Sequence, residues 1–199
     1  MIGKILKCPW RTALAGVVLT VLISLVMGQT GSALGLIVWL HVIVGIMWIG
    51  LLYYFNFVQV PAVAAALKDK DTGPAAINKH VAPKALWFFR WAALLTWLTG
   101  FSALAHLGGG MEAVLNAFLF SNGMAVIGLG AWLGTIMLLN VWGLIWPNQK
   151  KILGIVPATA EEIAKAKVVA LYASRTNTLL SIPMLLCMVG YGHGGLLPF

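Results

Sequence analysis

The sequence is poor in charge, and poorest in acidic residues. Only 9% of its 199 residues are charged, five of them acidic and 13 basic, whereas soluble globular domains average roughly 25%. Apolar residues make up 61% of the chain, and they form continuous runs rather than an alternation with polar positions. These features exclude an ordinary soluble domain. They predict an all-α integral membrane helical bundle, with residues 1–199 forming a single transmembrane domain.

Cysteine is also scarce, which limits the redox chemistry that the chain itself can carry. The only two cysteines are Cys8, before the first apolar run, and Cys187, late in the last one. We expect no disulfide between them. No C-x-x-C-H motif occurs, so no c-type haem is attached covalently to this sequence. The absence of an acid–base dyad, a phosphate-binding loop and a nucleophile signature argues against hydrolytic chemistry.

The apolar runs predict about five transmembrane helices, and the first is expected to be an uncleaved anchor. A run of about 20 apolar residues is enough to cross the hydrocarbon core of a bilayer. Pro61 and Pro147 are predicted to end the second and fourth spans. Thr159 and Glu162 fit a capping box at the start of a helix that continues into the fifth span. The predicted spans are residues 12–27, 34–60, 84–106, 123–146 and 174–190.

The basic residues indicate how the helices are oriented. With five spans, all 13 Lys and Arg residues fall at one side of the membrane and none at the other. The positive-inside rule then predicts a cytoplasmic N-terminus and an outer C-terminus. The same rule accounts for the net charge of +8, so we do not expect nucleic acid as a partner. The expected surroundings are a lipid bilayer.

Three histidines are predicted at the outer side of the bundle. His41 lies within the second apolar run, His106 ends the third, and His193 follows the fifth. An ionisable side chain at membrane depth needs a partner. Two imidazoles from different helices are the ligands of a membrane b-type haem, so these three are candidate haem or metal ligands. Gly45 is predicted to make room for a macrocycle and Trp48 to wall it, although core packing also explains Trp48.

A second group of polar residues is predicted at the inner ends of the spans. Such side chains pair across helices in membrane bundles, so a hydrogen-bonded seam is one interpretation. The other is an anion or quinone pocket, with Arg90 or Arg175 supplying the charge. The members of this inner polar cluster are Asn56, Arg90, Asn140, Arg175 and Asn177.

Four long stretches carry a family resemblance. They are WLHVIVGIMWIGLLYYFNFVQVPA at 39–62, PKALWFFRWAALLTWLTG at 83–100, NVWGLIWPNQKKI at 140–152 and ASRTNTLLSIPMLL at 173–186. Together they resemble the membrane domain of bacterial membrane-bound urate oxidases. The resemblance implies a multi-pass protein of the bacterial inner membrane that passes electrons from urate to a cytochrome c. In that family a c-type haem domain follows the last span, and we expect none in this chain.

The resemblance and the histidines lead to one main hypothesis and two alternatives. The main hypothesis is a haem b electron-transfer protein, with His41 as one axial ligand and His106 or His193 as the other. Urate oxidation would then require a cytochrome c partner. One alternative is a non-catalytic subunit of a larger respiratory or oxidase complex, and the other is a small transporter. Assembly as a homo-oligomer is left open by the sequence.

Overall fold

The computed structural model describes residues 2–28, 31–69 and 73–195, and every regular element in these ranges is helical. One compact unit ends at Leu36 and a second begins at Ile37. The all-α prediction is therefore confirmed for this part of the chain. The helices are α1 (Ile2–Leu6), α2 (Pro9–Val26), α3 (Ala33–Tyr53), α4 (Val60–Ala66), α5 (Ala82–His106), α6 (Met111–Phe118), α7 (Ala125–Asn140), α8 (Trp146–Ile152) and α9 (Ala160–Gly192).

Among the described residues, four helical segments are long and apolar enough to cross a membrane. They are Pro9–Val26, Ala33–Ala66, Ile77–His106 and Ala125–Ile152, and they coincide with the first four predicted spans. The fifth predicted span, 174–190, lies within α9 but is not among these four. Arg175, Asn177 and Ser181 make this part of α9 more polar. The chain thus has membrane-helix character, while the count of five and the orientation stay predictions.

The prediction that Pro61 and Pro147 end their spans is wrong, because both helices continue past the proline. A π-helical turn, Tyr54–Gln59, joins α3 to α4, and another, Val141–Ile145, joins α7 to α8. A third, Ile77–Val81, precedes α5. In each case the residue just before a proline donates its N–H five residues back: Val60 to Phe55, Trp146 to Val141 and Ala82 to Ile77.

The prolines themselves account for these wide turns. A proline ring inside an α-helix collides with the carbonyl four residues earlier and provides no N–H for it. Adding a residue to the turn moves that carbonyl aside and lets the helix continue. The second span therefore extends to Ala66 and the fourth to Ile152.

Within the second unit, helices α3, α5, α7 and α9 form a ring in that order. Each neighbouring pair shares a side-chain hydrogen bond, and the apolar core lies between the four helices. The bonds join His41 to Thr96, Trp97 to Thr135, Asn140 to Asn177, and Ser174 to Asn56 at the π-turn that continues α3. The largest fully buried apolar side chains are Trp48, Leu52, Phe89, Met137 and Val141.

The short helix α6 packs against α7 at one end of this ring. The three glycines 108–110 that precede it all have positive φ, a backbone conformation that glycine adopts without strain. Gly128 of α7 lies against the backbone of α6, since a Cβ built on it would overlap the carbonyl oxygen of Ala117. The indole Nε1 of Trp132 donates to the carbonyl of Phe118 at 3.0 Å. These contacts fix α6 closely on α7.

The predicted capping box at the start of α9 is confirmed. The Glu162 carboxylate accepts the backbone N–H of Thr159 at 2.8 Å, and the Thr159 hydroxyl accepts the N–H of Glu162 at 3.2 Å. The Nζ of Lys151 lies 3.8 Å from the same carboxylate. The hydrogen bond from the Thr159 backbone, and then the charge of Lys151, hold the pKa of Glu162 below its ordinary value.

This lowered pKa predicts a pH-dependent contribution to stability. The folded protein favours the ionised carboxylate, so the stabilisation is present above the ordinary glutamate pKa and is lost as the pH falls through the lowered value. We expect wild type to melt at a higher temperature than Glu162→Gln at neutral pH, because glutamine keeps a capping oxygen without the charge. The two Tm values should converge on acidification. A difference that stays constant with pH would contradict this account.

Candidate functional site

His41 is held by α5 through one ring nitrogen. Its Nδ1 lies 2.9 Å from the carbonyl oxygen of Thr96 and 3.1 Å from the Thr99 hydroxyl. A carbonyl oxygen can only accept, so the proton of the neutral ring is on Nδ1 and the lone pair is on Nε2. The Thr99 hydroxyl is itself directed by the carbonyl of Leu95 at 2.7 Å. The imidazole is therefore fixed in orientation and tautomer, with Nε2 as its remaining ligand atom.

Gly100 makes room for this imidazole. A Cβ built on Gly100 would lie 2.9 Å from Cε1 of His41, closer than real Cβ contacts allow. Gly45, one turn from His41, faces the methyl group of Thr96, and a Cβ there would make an ordinary contact at 3.7 Å. The small residue that matters for the histidine is therefore Gly100 on α5, whereas the predicted role of Gly45 in admitting a macrocycle stays a prediction.

His106 and His193 are exposed, and both bond to their own helix. The Nδ1 of His106 lies 2.8 Å from the carbonyl of Ser102, and that of His193 lies 2.9 Å from the carbonyl of Val189. Like His41, each therefore leaves Nε2 for another partner. No described contact joins either ring to His41. No group of three or more His, Cys, Asp or Glu side chains that could hold a metal occurs among the described residues.

Trp48 is part of the bundle core. Its side chain is only 2% exposed and packs with Leu52 and Phe89, among others. Its indole Nε1 is buried and has no hydrogen-bond partner in the described part of the chain. A buried indole N–H usually finds a partner, so Trp48 combines the predicted core role with an unused donor. It lies seven residues from His41, close to the same face of the helix.

The inner polar cluster separates into three contacts rather than one pocket. The first is between the α3 side and α9, where the amide Nδ2 of Asn56 donates to the Leu52 carbonyl at 2.9 Å and to the Ser174 hydroxyl at 2.8 Å. The Tyr53 hydroxyl lies 2.9 Å from the hydroxyl of Ser181, which is fully buried. The Oδ1 of Asn56 is buried without a described partner.

The second contact is between α7 and α9. The Nδ2 of Asn140 donates to Oδ1 of Asn177 at 3.0 Å, and Nδ2 of Asn177 donates to the Met137 carbonyl at 3.0 Å. Asn177 is 0% exposed. The Met137 carbonyl that accepts from Asn177 lies one turn before Val141, where the helix changes from α to π hydrogen bonding. For these asparagines the seam interpretation of the sequence agrees with the geometry.

The third contact involves Arg90, and it lies between α5 and α8. The Arg90 guanidinium carbon lies 3.9 Å from the centroid of the Trp146 ring. Arg175 is exposed on α9 and has no part in this contact. The two arginines that the sequence offered as the charge of one pocket therefore occupy different places in the bundle.

Some site residues had only a weak signal in the sequence. Thr96 and Thr99 position His41, and Tyr53, Ser174 and Ser181 form the seam between α3 and α9. Hydroxyl side chains commonly bond their own helix in apolar spans, so their presence alone does not single out a partner. The spacing of three residues between Thr96 and Thr99, and of seven between Ser174 and Ser181, places each pair on a shared helix face, which is the signal that could have been used.

A comparison with protein families now adds to this geometry. Residues 109–196 match the model of a family described as urate oxidase N-terminal. The resemblance to the membrane domain of urate oxidases is thus confirmed over residues 109–196, which contain α6 to α9, His193 and two of the four resembling stretches. His41 and His106 precede the match. Searches of curated proteins and of solved structures found no match for the chain.

Proposed function

We propose, from the match of residues 109–196 to the urate oxidase N-terminal family, that this chain is a haem b electron-transfer domain. It would lie in the bacterial inner membrane and pass electrons towards a cytochrome c at the outer face. Urate oxidation would then be shared with that partner. The family match supports the redox context, and the apolar helices support the membrane location. The observation that carries the haem assignment is the hydrogen bonding of His41.

The geometry of His41 fits an axial ligand. Histidines that ligate metals almost always donate their other ring N–H to a carbonyl or carboxylate, which fixes the tautomer and raises the basicity of the ligating nitrogen. The Thr96 carbonyl at 2.9 Å from Nδ1 provides that arrangement. Nε2 would then bind iron inside an apolar bundle. A haem bound there would supply a one-electron couple.

Position along the helices favours His193 over His106 as the second ligand. α3 and α9 are antiparallel, and the Tyr53–Ser181 hydrogen bond gives a common level. His41 lies 12 residues before Tyr53 and His193 lies 12 residues after Ser181, so both are about 18 Å from that level at the same end.

His106 lies further along its helix. It is six residues beyond Gly100, where His41 contacts α5, which corresponds to about 9 Å along the helix and a rotation of about 240°. Its ring therefore projects from another face of α5 than the one that holds His41. We infer that His193, which also lies within the family match, is the better candidate.

A difference spectrum of the purified protein, reduced minus oxidised, tests the proposal. We expect b-type haem bands in wild type, because His41 presents Nε2 in an apolar site. His41→Ala should lose the bands. His193→Ala should lose them or convert them to those of a haem with one histidine ligand, whereas His106→Ala should keep them. His80→Ala is the matched control, since His80 is exposed in the π-turn before α5.

The same experiment distinguishes a second candidate, a subunit that binds no cofactor. That candidate is supported by the two hydrogen bonds of Nδ1, which already give the buried imidazole a partner within the protein. Wild-type protein that elutes as a folded species but has no haem bands, even when expressed with added haem precursor, would favour it. Bands that persist unchanged in His41→Ala would overturn the assignment of His41.

A further inference from the structure

Arg90 lies in an aromatic setting between α5 and α8. Its guanidinium carbon is 3.9 Å from the centroid of the Trp146 ring. The indole Nε1 of Trp142 donates to the Arg90 carbonyl at 3.2 Å, and Trp142 meets Trp91 edge to face at a centroid distance of 5.4 Å. Two tryptophans that pack together thus hold the Arg90 backbone, while a third lies under the guanidinium.

The guanidinium has an unused set of donors. It carries five N–H groups, yet it makes no hydrogen bond or ion pair within the described ranges of the chain, where its contact is the Trp146 ring. Arg90 also lies inside Ile77–His106, one of the candidate membrane spans. A long cationic side chain near the end of a span extends to the membrane interface, where charged groups can pair with it. A ligand that used these donors would be an acceptor with negative charge.

The depth of Trp146 in the membrane indicates where such a ligand would bind. The segment from Ala125 to Trp146 contains 22 residues, which corresponds to about 32 Å of helix. That is close to the hydrocarbon thickness of a bilayer, about 30 Å. If the segment starts at one interface, Trp146 lies at the other, as expected of a tryptophan in an interfacial belt. Arg90 is therefore at the depth of lipid headgroups, at the end of the bundle that carries the lysines.

From these contacts, we propose that Arg90 binds the phosphate of an anionic phospholipid. The planar guanidinium can donate two parallel hydrogen bonds to a phosphodiester while its face remains stacked on Trp146. Trp87 and Trp91 are 49% and 40% exposed on the same helix and provide apolar surface for the acyl chains. Lys84, Lys150 and Lys151 lie near this end of the spans and favour an anionic headgroup over a zwitterionic one.

Thermal melting of the intact protein in detergent tests this site. We expect added phosphatidylglycerol to raise the Tm of wild type more than phosphatidylcholine does, because a ligand of the folded state stabilises it. Arg90→Gln should abolish this extra shift. Arg90→Lys, which keeps the charge but loses the planar fork, should retain less than about half of it. Lys167→Gln is the matched control, since it removes one exposed charge from α9 that the proposed site does not include and should leave the shift in place.

Three outcomes would overturn the proposal. The first is an equal shift in Arg90→Gln and in wild type. The second is an equal shift with inorganic phosphate at the same ionic strength, which would indicate a soluble anion rather than a lipid. The third outcome comes from a second experiment, which is needed if Arg90→Gln does not fold. Native mass spectrometry would then compare wild type, Arg90→Lys and Trp146→Leu, and equal retention of phosphatidylglycerol by all three would contradict the site.

Discussion

Gly128→Ala is expected to destabilise the protein severely, although alanine is ordinarily the better helix residue. The added methyl carbon would overlap the carbonyl oxygen of Ala117 and lie 2.8 Å from its carbonyl carbon. These atoms belong to the backbone of α6, so no side-chain rotation relieves the overlap. Overpacking of a tight contact costs roughly 1–3 kcal/mol and sometimes more. We expect the upper end of that range or beyond, because α6 as a whole has to move.

Gly134→Ala, on the same helix, is the matched control for this prediction. No atom lies within 4 Å of a Cβ built on Gly134, so its substitution should be neutral or stabilise the helix by up to about 1 kcal/mol. Tryptophan fluorescence during titration with a denaturing detergent would measure both variants. A midpoint for Gly128→Ala as high as that for Gly134→Ala would show that α6 does not approach α7 as closely as described.

The helices themselves could be predicted from the sequence because lipid imposes a simple condition. Backbone polar groups in hydrocarbon must be satisfied internally, so a long apolar run such as 34–60 is bound to be helical. The ends of the spans were harder to predict. Pro61 and Pro147 are strong helix breakers in water, but here a π-turn before each proline lets the helix continue to Ala66 and Ile152.

The candidate site could be predicted only in part, for a related reason. His41 is conspicuous as an ionisable residue in an apolar run, but its partners are a backbone carbonyl at Thr96 and a hydroxyl at Thr99. A carbonyl gives no signal in a sequence, and threonine occurs in many spans. The sequence predicts that Gly45 makes room for a ligand, whereas the glycine whose missing side chain accommodates His41 is Gly100.

The inner polar residues illustrate the same limit. Counting residues along each predicted span places Asn56, Arg90 and Asn177 at a similar depth in the membrane. Which helices meet at each side chain depends on the order of the helices around the bundle, and that order is not readable from one sequence. The ring of α3, α5, α7 and α9 assigns Asn56 and Asn177 to different seams and leaves Arg90 with Trp146.

The seam between α7 and α9 leads to a prediction about coupled asparagines. Asn177→Ala should destabilise the protein by about 1–3 kcal/mol, because it leaves the partly buried Nδ2 of Asn140 without its acceptor. Asn140→Ala should cost less, since Asn177 keeps its bond to the Met137 carbonyl. The double variant should cost less than the sum of the two, and the difference, about 0.5–1.5 kcal/mol, measures the Asn140–Asn177 bond at 3.0 Å.

Asn148→Ala is the control for this cycle, because the Asn148 amide donates to the Leu144 carbonyl of its own helical segment. It should change stability by less than about 0.5 kcal/mol and should add to Asn177→Ala without coupling. Each cycle compares wild type, the two single variants and the double variant, and the unfolding midpoint of each is measured in denaturing detergent. Strict additivity of Asn140→Ala and Asn177→Ala would mean that the two amides do not bond. Coupling confined to that pair would mean that the Asn140–Asn177 bond joins α7 to α9 in addition to the Asn177–Met137 bond, next to the turn where α7 changes its pitch.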